Sequence, residues 1–319
     1  MVTFIPKVGI MKMTEVEKAA VWVVTDNYYD ALRPDGKFAK RYRVTPGKSI
    51  HAEHGLSYYL EIVVNGKTAA CMFDFGLDPI GVMNNIKHLG LDLGKIDAFV
   101  LSHGHLDHWT GAMEILKQKR MRIIKDTPFF VGEDAFLRRF TIRPGTDEVV
   151  DIGQLSRKNL EQSGAKVRVV TDPTPIIPGL YCTGNIERVT GYEKMSTSLL
   201  VQRGQTIEQD DFRGEQALLF SVRGKGLVVL SGCAHAGIVN TVKQAVKIAG
   251  VKKVHAILGG FHLINAEPEI VQQTIADIRA LGPDLIAPTH CTGFEAVAAF
   301  AREMPAAFNL NTAGTQYIF

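Results

Sequence analysis

Six residues, His103-Gly104-His105-Leu106-Asp107-His108, constrain this chain more than any other stretch. They follow the apolar run IDAFVLS and crowd three imidazoles and a carboxylate into one tight turn. Three of the chain's 10 histidines fall in this window, a clustering that marks metal sites. Histidine is the commonest metal ligand, and histidine with carboxylate suits a borderline divalent ion such as zinc. Two residues apart, His103 and His105 can reach one ion. Asp107 and His108, a step further on, are placed to reach a second.

The rest of the composition is that of an ordinary globular chain. Of 319 residues, 46% are hydrophobic and 22% charged, enough for a sizeable core. Basic and acidic residues number 36 and 33, a net charge of +3. That balance argues against nucleic acid as a partner. The first two dozen residues scatter Lys and Glu and show neither a signal peptide nor a membrane span. Cys71, Cys182, Cys233 and Cys291 have no CxxC spacing and sit in or beside apolar runs. Buried free thiols in a cytoplasmic protein are expected.

Strands are predicted at AAVWVVTDN, LSYYLEIVV and, after the Asn65-Gly66 turn, TAACMFDFG. Pro79 to Leu89 has helical spacing, with Pro in the first turn and Gly90 as its stop. IDAFVLS is a buried strand, and a helix is predicted from Trp109 to Lys117. Residues 132–165 read as an insertion, a basic loop and then a helix, in a chain otherwise expected to form one domain over 1–319. Beyond it, strands alternate with helices at 237–249, 266–281 and 293–303, an α/β rhythm.

Four of the predicted strands end alike. IDAFVLS leads to His103, GLVVLSGCA to His235, VHAILGGF to His262 and LIAPT to His290. In α/β sheets, function collects beyond the C-terminal ends of strands. Small residues just before these histidines (Ser102, Gly232, Gly259, Gly260) permit close approach. His235 and His290 are therefore candidate ligands. His262 is a candidate for supporting a ligand or contacting substrate.

H-x-H-x-D-H at a strand end, preceded by a strand ending in Asp74-Phe75-Gly76, resembles the metallo-β-lactamase superfamily. The resemblance implies an αβ/βα sandwich: two mixed sheets face to face with helices outside. More narrowly, AEHGLSYYLEI, TGNIERVTGYE, LSGCAHAGIVNTV, LGGFHL and PTHCTG resemble the subgroup of 7,8-dihydropterin-6-methyl-4-(β-D-ribofuranosyl)-aminobenzene-5′-phosphate synthases. The chain departs from the common superfamily pattern in two places. Typical members carry a His ahead of the strand that here reads ALLFSV, where this chain has DDFRGEQ. They also place a bridging Asp at the next strand end, where this chain has SGCAHAG. The resemblance thus implies His103, His105 and His235 around a first ion, and Asp107, His108 and His290 around a second. It leaves open one ion or two, and zinc, iron or manganese.

Zinc lowers the pKa of its water from 15.7 to about 7 and polarises carbonyl or phosphoryl oxygens. The default reaction is hydrolysis of a phosphodiester, ester or lactone; the synthase resemblance implies a condensation on a small phosphorylated, pterin-related substrate. Asp107 is the expected catalytic carboxylate, both ligand and orienter of the attacking group. Asp74 is expected to fix a histidine ring. Glu53 and His54 are expected to border the cleft. Lys40 to Arg43 and Arg138, Arg139 and Arg143 are candidate phosphate contacts. Cys233 reads as a packed thiol rather than a soft ligand. A silent metal- or ligand-binding module is the alternative of another class, and intact candidate ligands in all four loops argue against it. The sequence does not fix an oligomeric state.

Overall fold

Alternation along the strands builds the layers. In strand Lys67–Phe73 and its parallel neighbour Ile96–Val100, Cys71, Phe73, Ala98 and Val100 face one way, and Met72 and Phe99 the other. Strands Gly226–Ser231 and Val254–Gly260 do the same: Val228, Leu230, Ala256 and Leu258 face inward, Val229 and Ile257 outward. Strands buried on both faces read as continuous apolar runs.

The inward sets meet in one core between two sheets. The first sheet has eight strands, in the order Ala39–Lys40, Gln316–Ile318, Lys18–Thr25, Ser57–Val64, Lys67–Phe73, Ile96–Val100, Thr127–Gly132 and Ala165–Val170. Its last four are parallel. The second has six: Thr174–Ile177, Leu180–Cys182, Leu218–Val222, Gly226–Ser231, Val254–Gly260 and Leu285–Thr289. Its last three are parallel.

Helices cover the outward faces. Pro79–Leu89 and Ala112–Arg122 contribute Val82, Ile86, Ile115 and Leu116 over the first sheet. Ile238–Ala249, Pro268–Leu281 and Phe294–Glu303 contribute Val242, Ile275 and Phe300 over the second. This is the expected αβ/βα sandwich. Helix Pro79–Leu89 has the bounds predicted, because Asp78 caps the Ile80 N–H and Gly90 closes it in the left-handed region at φ 69°.

The computed structural model describes residues 10–122 and 127–319. The sequence reading of residues 1–9 lies outside these. Among the described residues, no helix is long and apolar enough to cross a membrane.

Two local expectations need correction. The helix predicted from Trp109 to Lys117 is two helices, Leu106–Trp109 and Ala112–Arg122. The break lets Gly111 lie against strand-end residue Phe75, whose carbonyl oxygen would stand 2.1 Å from any Cβ there. The stretch 132–165 is more than loop and helix. Arg139–Ile142 and Val149–Gly153 form a hairpin, which joins Leu199–Arg203 and Thr206–Gln209 in a third, four-stranded sheet. Its strands are short and mostly half-exposed, so they lack the apolar run that announces a buried strand.

Candidate metal centre

The C-terminal ends of Ile96–Val100, Gly226–Ser231, Val254–Gly260 and Leu285–Thr289 bring the histidines to one edge of the sandwich. The backbone there is held in unusual conformations. Asp74, Phe212, Ala234, His262 and His290 all have positive φ, between 45° and 59°. That region is sparsely populated for non-glycine residues and collects at functional sites.

The predicted ligands fall into two groups. In the first, donor nitrogens of His103, His105 and His235 lie within 4.8 Å of one another. His103 Nε2 and His235 Nε2 face each other at 3.2 Å. In the second, Asp107 Oδ2 lies 3.1 Å from His290 Nε2 and 3.7 Å from His108 Nε2. His108 Nε2 and His290 Nε2 are 3.2 Å apart. His54 joins this group: its Nε2 is 3.5 Å from Asp107 Oδ2, and its ring stacks on His290 with centroids 5.0 Å apart.

Asp74 orients rings in both groups. Its Oδ2 accepts from His108 Nδ1 at 2.7 Å and from the Ser102 hydroxyl at 2.7 Å. With its proton donated to Asp74, Ser102 Oγ accepts from His103 Nδ1 at 2.8 Å. Both imidazoles thus carry a proton on Nδ1, assigned from the hydrogen-bond network, and turn Nε2 inward. On His290, Nδ1 faces Asn27 Oδ1 at 3.2 Å, which again leaves Nε2 inward. Ring nitrogens converging at 3.2 Å beside a carboxylate suit a shared cation, either a proton or a metal ion.

The electrostatics agree. Burial holds His103, His105 and His235 well below the ordinary imidazole value, in the neutral form that binds metal. Burial also pulls His108 down, but Asp107 and Asp74 outweigh it and raise it to about 9. Burial would raise Asp107; His108 and His290 outweigh it and hold the carboxylate well below its usual range. The second group therefore favours positive charge, and a metal ion competes with a proton for His108 Nε2.

Several residues stand differently from the sequence reading. Cys233 is not merely packed: its Sγ lies 3.2 Å from His108 Nε2 and belongs to a possible donor set with His103 and His108. It lies between His103 and His108, in the loop that has no Asp where the superfamily resemblance implies a bridging one. Glu53 is not gathered into either group, because its carboxylate accepts the Leu77 and Asp78 N–H groups at 2.9 and 2.8 Å. The arginines of the basic clusters have partners elsewhere. Arg41 is held by Asn309, Thr312, Thr315 and the Leu310 carbonyl. Arg43, Arg138 and Arg143 pair with Asp35, Asp151 and Glu148. Arg139 is fully buried between Asp134 and Asp210, at 3.2 and 2.8 Å.

Other contributors carried no sequence signal of their own. Phe212 stacks flat on His235, with centroids 3.8 Å apart and planes at 6°. Buried Glu215 accepts the N–H groups of His235 and Ala236 at 2.8 and 2.6 Å and so shapes that loop; burial outweighs those bonds and pushes its carboxyl up to about 7. Asp26 accepts from Thr289 and Asn311 beneath the His290 loop. A cavity of about 360 Å³ opens beside His235 and His262, with Tyr192, Lys194 and Glu267 on its far walls.

The chain is 33% identical over 266 residues to the 7,8-dihydropterin-6-methyl-4-(β-D-ribofuranosyl)-aminobenzene-5′-phosphate synthase of Methanocaldococcus jannaschii, covering 82% of this chain and 89% of that protein. The chain belongs to the metallo-β-lactamase superfamily. The superfamily's sequence model matches residues 53–133, a span that includes the HGHLDH turn. The fold agrees: Tm1679, a metal-dependent hydrolase of the β-lactamase superfamily, superposes with a TM-score of 0.71 at 22% identity, covering 93% of this chain and 98% of that one. The metallo-β-lactamase fold protein YhfI from Bacillus subtilis gives 0.52 at 12% identity, covering 95% and 100%. Similarity to a synthase over most of its length makes this superfamily member an enzyme.

The shared role of Asp74 makes a specific expectation. Asp74→Asn preserves shape and tolerates the left-handed backbone at φ 59°, but presents an amide where two donors need a carboxylate. Metal affinity is expected to fall about 10–100-fold in both groups together. Competition against a chromophoric chelator measures this; loss confined to one group would refute the shared role.

Proposed function

We propose that this protein is a metal-dependent enzyme holding two zinc ions, one on His103, His105 and His235 and one on Asp107, His108 and His290, with His54 beside the second. The observation that carries this reading is the pair of Nε2–Nε2 contacts at 3.2 Å, each with an Nδ1 hydrogen-bonded away from its partner ring. Histidine, carboxylate and thiol donors favour zinc over magnesium or calcium. The four free, buried cysteines suit a reducing, cytoplasmic setting.

Bound there, zinc supplies Lewis acidity toward a phosphoryl or carbonyl oxygen. The chain's own residues do the rest. Asp107 holds the second group and presents its carboxylate to the reacting centre. Asp74, through Ser102 and directly, keeps the rings of His103 and His108 from turning. Lys194, on the wall of the 360 Å³ cavity, receives the anionic end of the substrate, a role that Arg139, buried between Asp134 and Asp210, is too engaged to play.

By its similarity to the M. jannaschii enzyme, the substrate we propose is a small phosphorylated, pterin-related molecule and the reaction a condensation. The test supplies zinc-loaded protein with a dihydropterin diphosphate and the ribofuranosyl aminobenzene phosphate and follows the coupled product together with the pyrophosphate released as its C–O bond breaks. Product formation that Asp107→Asn cuts by on the order of 10²–10³-fold is expected. Phosphodiester hydrolysis without coupling would replace the synthase reading by a general hydrolase. Less than about half an equivalent of metal in active protein would end the metal reading altogether.

A further inference from the structure

Strands Gly226–Ser231, Val254–Gly260 and Leu285–Thr289 lie side by side and parallel, with Ser231 opposite Gly259 and Gly260 opposite Thr289. Each carries a metal-ligating side chain two residues past its last residue: Cys233, His262 and Cys291. Three neighbouring loops thus raise three donors at one level. Both sulfurs and a ring nitrogen of His262 lie within 4.8 Å of one another.

The surroundings are shaped around this trio. A Cβ on Gly260 would stand 2.4 Å from the Gly232 carbonyl oxygen and 2.6 Å from Cys291 Sγ, so glycine alone lets the loops close. His262 is held at φ 45°, a conformation that non-glycine residues seldom keep without a reason. Its Nδ1 is buried and makes no hydrogen bond, whereas buried polar atoms in folded proteins are almost always satisfied. Cys291 directs its thiol at the Cys233 carbonyl, 3.4 Å away, a weak partner for a buried sulfur.

We propose that Cys233, His262 and Cys291 form a third metal site, for a thiophilic divalent ion of the zinc class, beside the two histidine groups. Two thiolates and an imidazole make a zinc donor set that leaves the fourth position open, and thiolates select against magnesium and calcium. His262 also lines the 360 Å³ cavity, so the open position is within reach of a substrate oxygen or nitrogen. Cys233, 3.2 Å from His108 Nε2, links this site to the second histidine group.

The site stands on Cys291 and His262, neither of which is a ligand in the proposed catalytic pair. It therefore fails or survives separately from the proposed function. Full-length protein, reduced with a phosphine and kept free of oxygen, is titrated with Co²⁺. Three equivalents are expected, with thiolate-to-cobalt absorption in the near ultraviolet. Cys291→Ser should lose one equivalent and, because the same cobalt leaves Cys233, most of that absorption. His262→Gln, at the cavity wall, should lose the same equivalent and decides the matter if Cys291→Ser does not fold. Asp107→Asn should lose a different equivalent and keep the absorption owed to Cys291. Wild-type protein that binds only two ions and shows no thiolate absorption, or variants at Cys291 and His262 that bind as many as wild type with unchanged absorption, overturns the third site and leaves the histidine pair intact. Wild-type protein that binds a single ion with the full thiolate absorption would instead refute the histidine pair.

Discussion

Asp107→Asn is expected to cut activity by on the order of 10²–10³-fold and to release one metal equivalent. One oxygen, Oδ2, faces His290 at 3.1 Å, His54 at 3.5 Å and His108 at 3.7 Å. An amide of the same shape carries no charge there and offers an N–H₂ that donates to a ring nitrogen instead of helping to hold a cation. The size follows from the several kcal/mol that a positioned ion contributes to charge stabilisation, at about 1.4 kcal/mol per tenfold in rate. The fold should survive, because the loop is tied through the backbone: Leu56 N–H donates to the Asp107 carbonyl and Phe75 N–H to that of His108, at 3.2 and 2.7 Å. The first group, His103, His105 and His235, should keep its ion. Elemental analysis with steady-state kinetics gives both readings. A variant with full metal content and full activity would remove Asp107 from the centre.

The second large effect is on stability. Arg139→Met is expected to cost about 3–5 kcal/mol, the usual penalty for leaving buried charge without its partner. Arg139 is fully buried, and so are Asp210 and Asp134, its partners at 2.8 and 3.2 Å. Methionine fills much of the space but leaves two buried carboxylates facing each other. Burial already pushes the Asp210 carboxyl up, with Arg139 pulling it back down. Urea unfolding measures the loss, and adding Asp134→Asn and Asp210→Asn should restore a large part of it. The effect reaches the metal centre as well. Gly104 packs so closely on this side chain that a Cβ would stand 2.1 Å from Arg139 Nη1. The floor of the His103–His105 turn is thus the guanidinium itself, and the variant should also bind metal more weakly. A stability change within about 1 kcal/mol of zero, the scale of an exposed ion pair, would show that the three residues are not coupled.

Arg139 also shows where sequence reading stops. As one of three arginines within six residues, it looked like a phosphate contact. Charge is visible in a sequence, but the partner that neutralises it is not: Asp210 lies 71 positions away. Glu215 and Phe212 are similar. Nothing in DDFRGEQ announces that a carboxylate will fix the His235 loop from beneath, or that a ring will lie flat on His235. Cys233 looked like a packed thiol because its neighbours in the chain are small and apolar. Only the fold brings His108 against it.

What the sequence determined by itself was local and periodic. Alternating and continuous apolar runs defined the central strands of both large sheets, though not short ones such as Ala39–Lys40, Leu180–Cys182 and Gln316–Ile318, and Pro79 and Gly90 bounded a helix to the residue. The His103–His108 turn pointed to metal chemistry, because three imidazoles and a carboxylate in one tight turn stand out without reference to any distant residue. The like endings of four strands pointed to one shared edge. Tertiary structure decided the rest. It set His103 against His235 and His108 against His290, pairs 132 and 182 positions apart. It put Asp74 behind both groups, turned Arg41 and Arg139 to structural work and raised Cys233, His262 and Cys291 to one level. Contacts across two facing sheets depend on which strands become neighbours, and that is fixed only when the whole core packs.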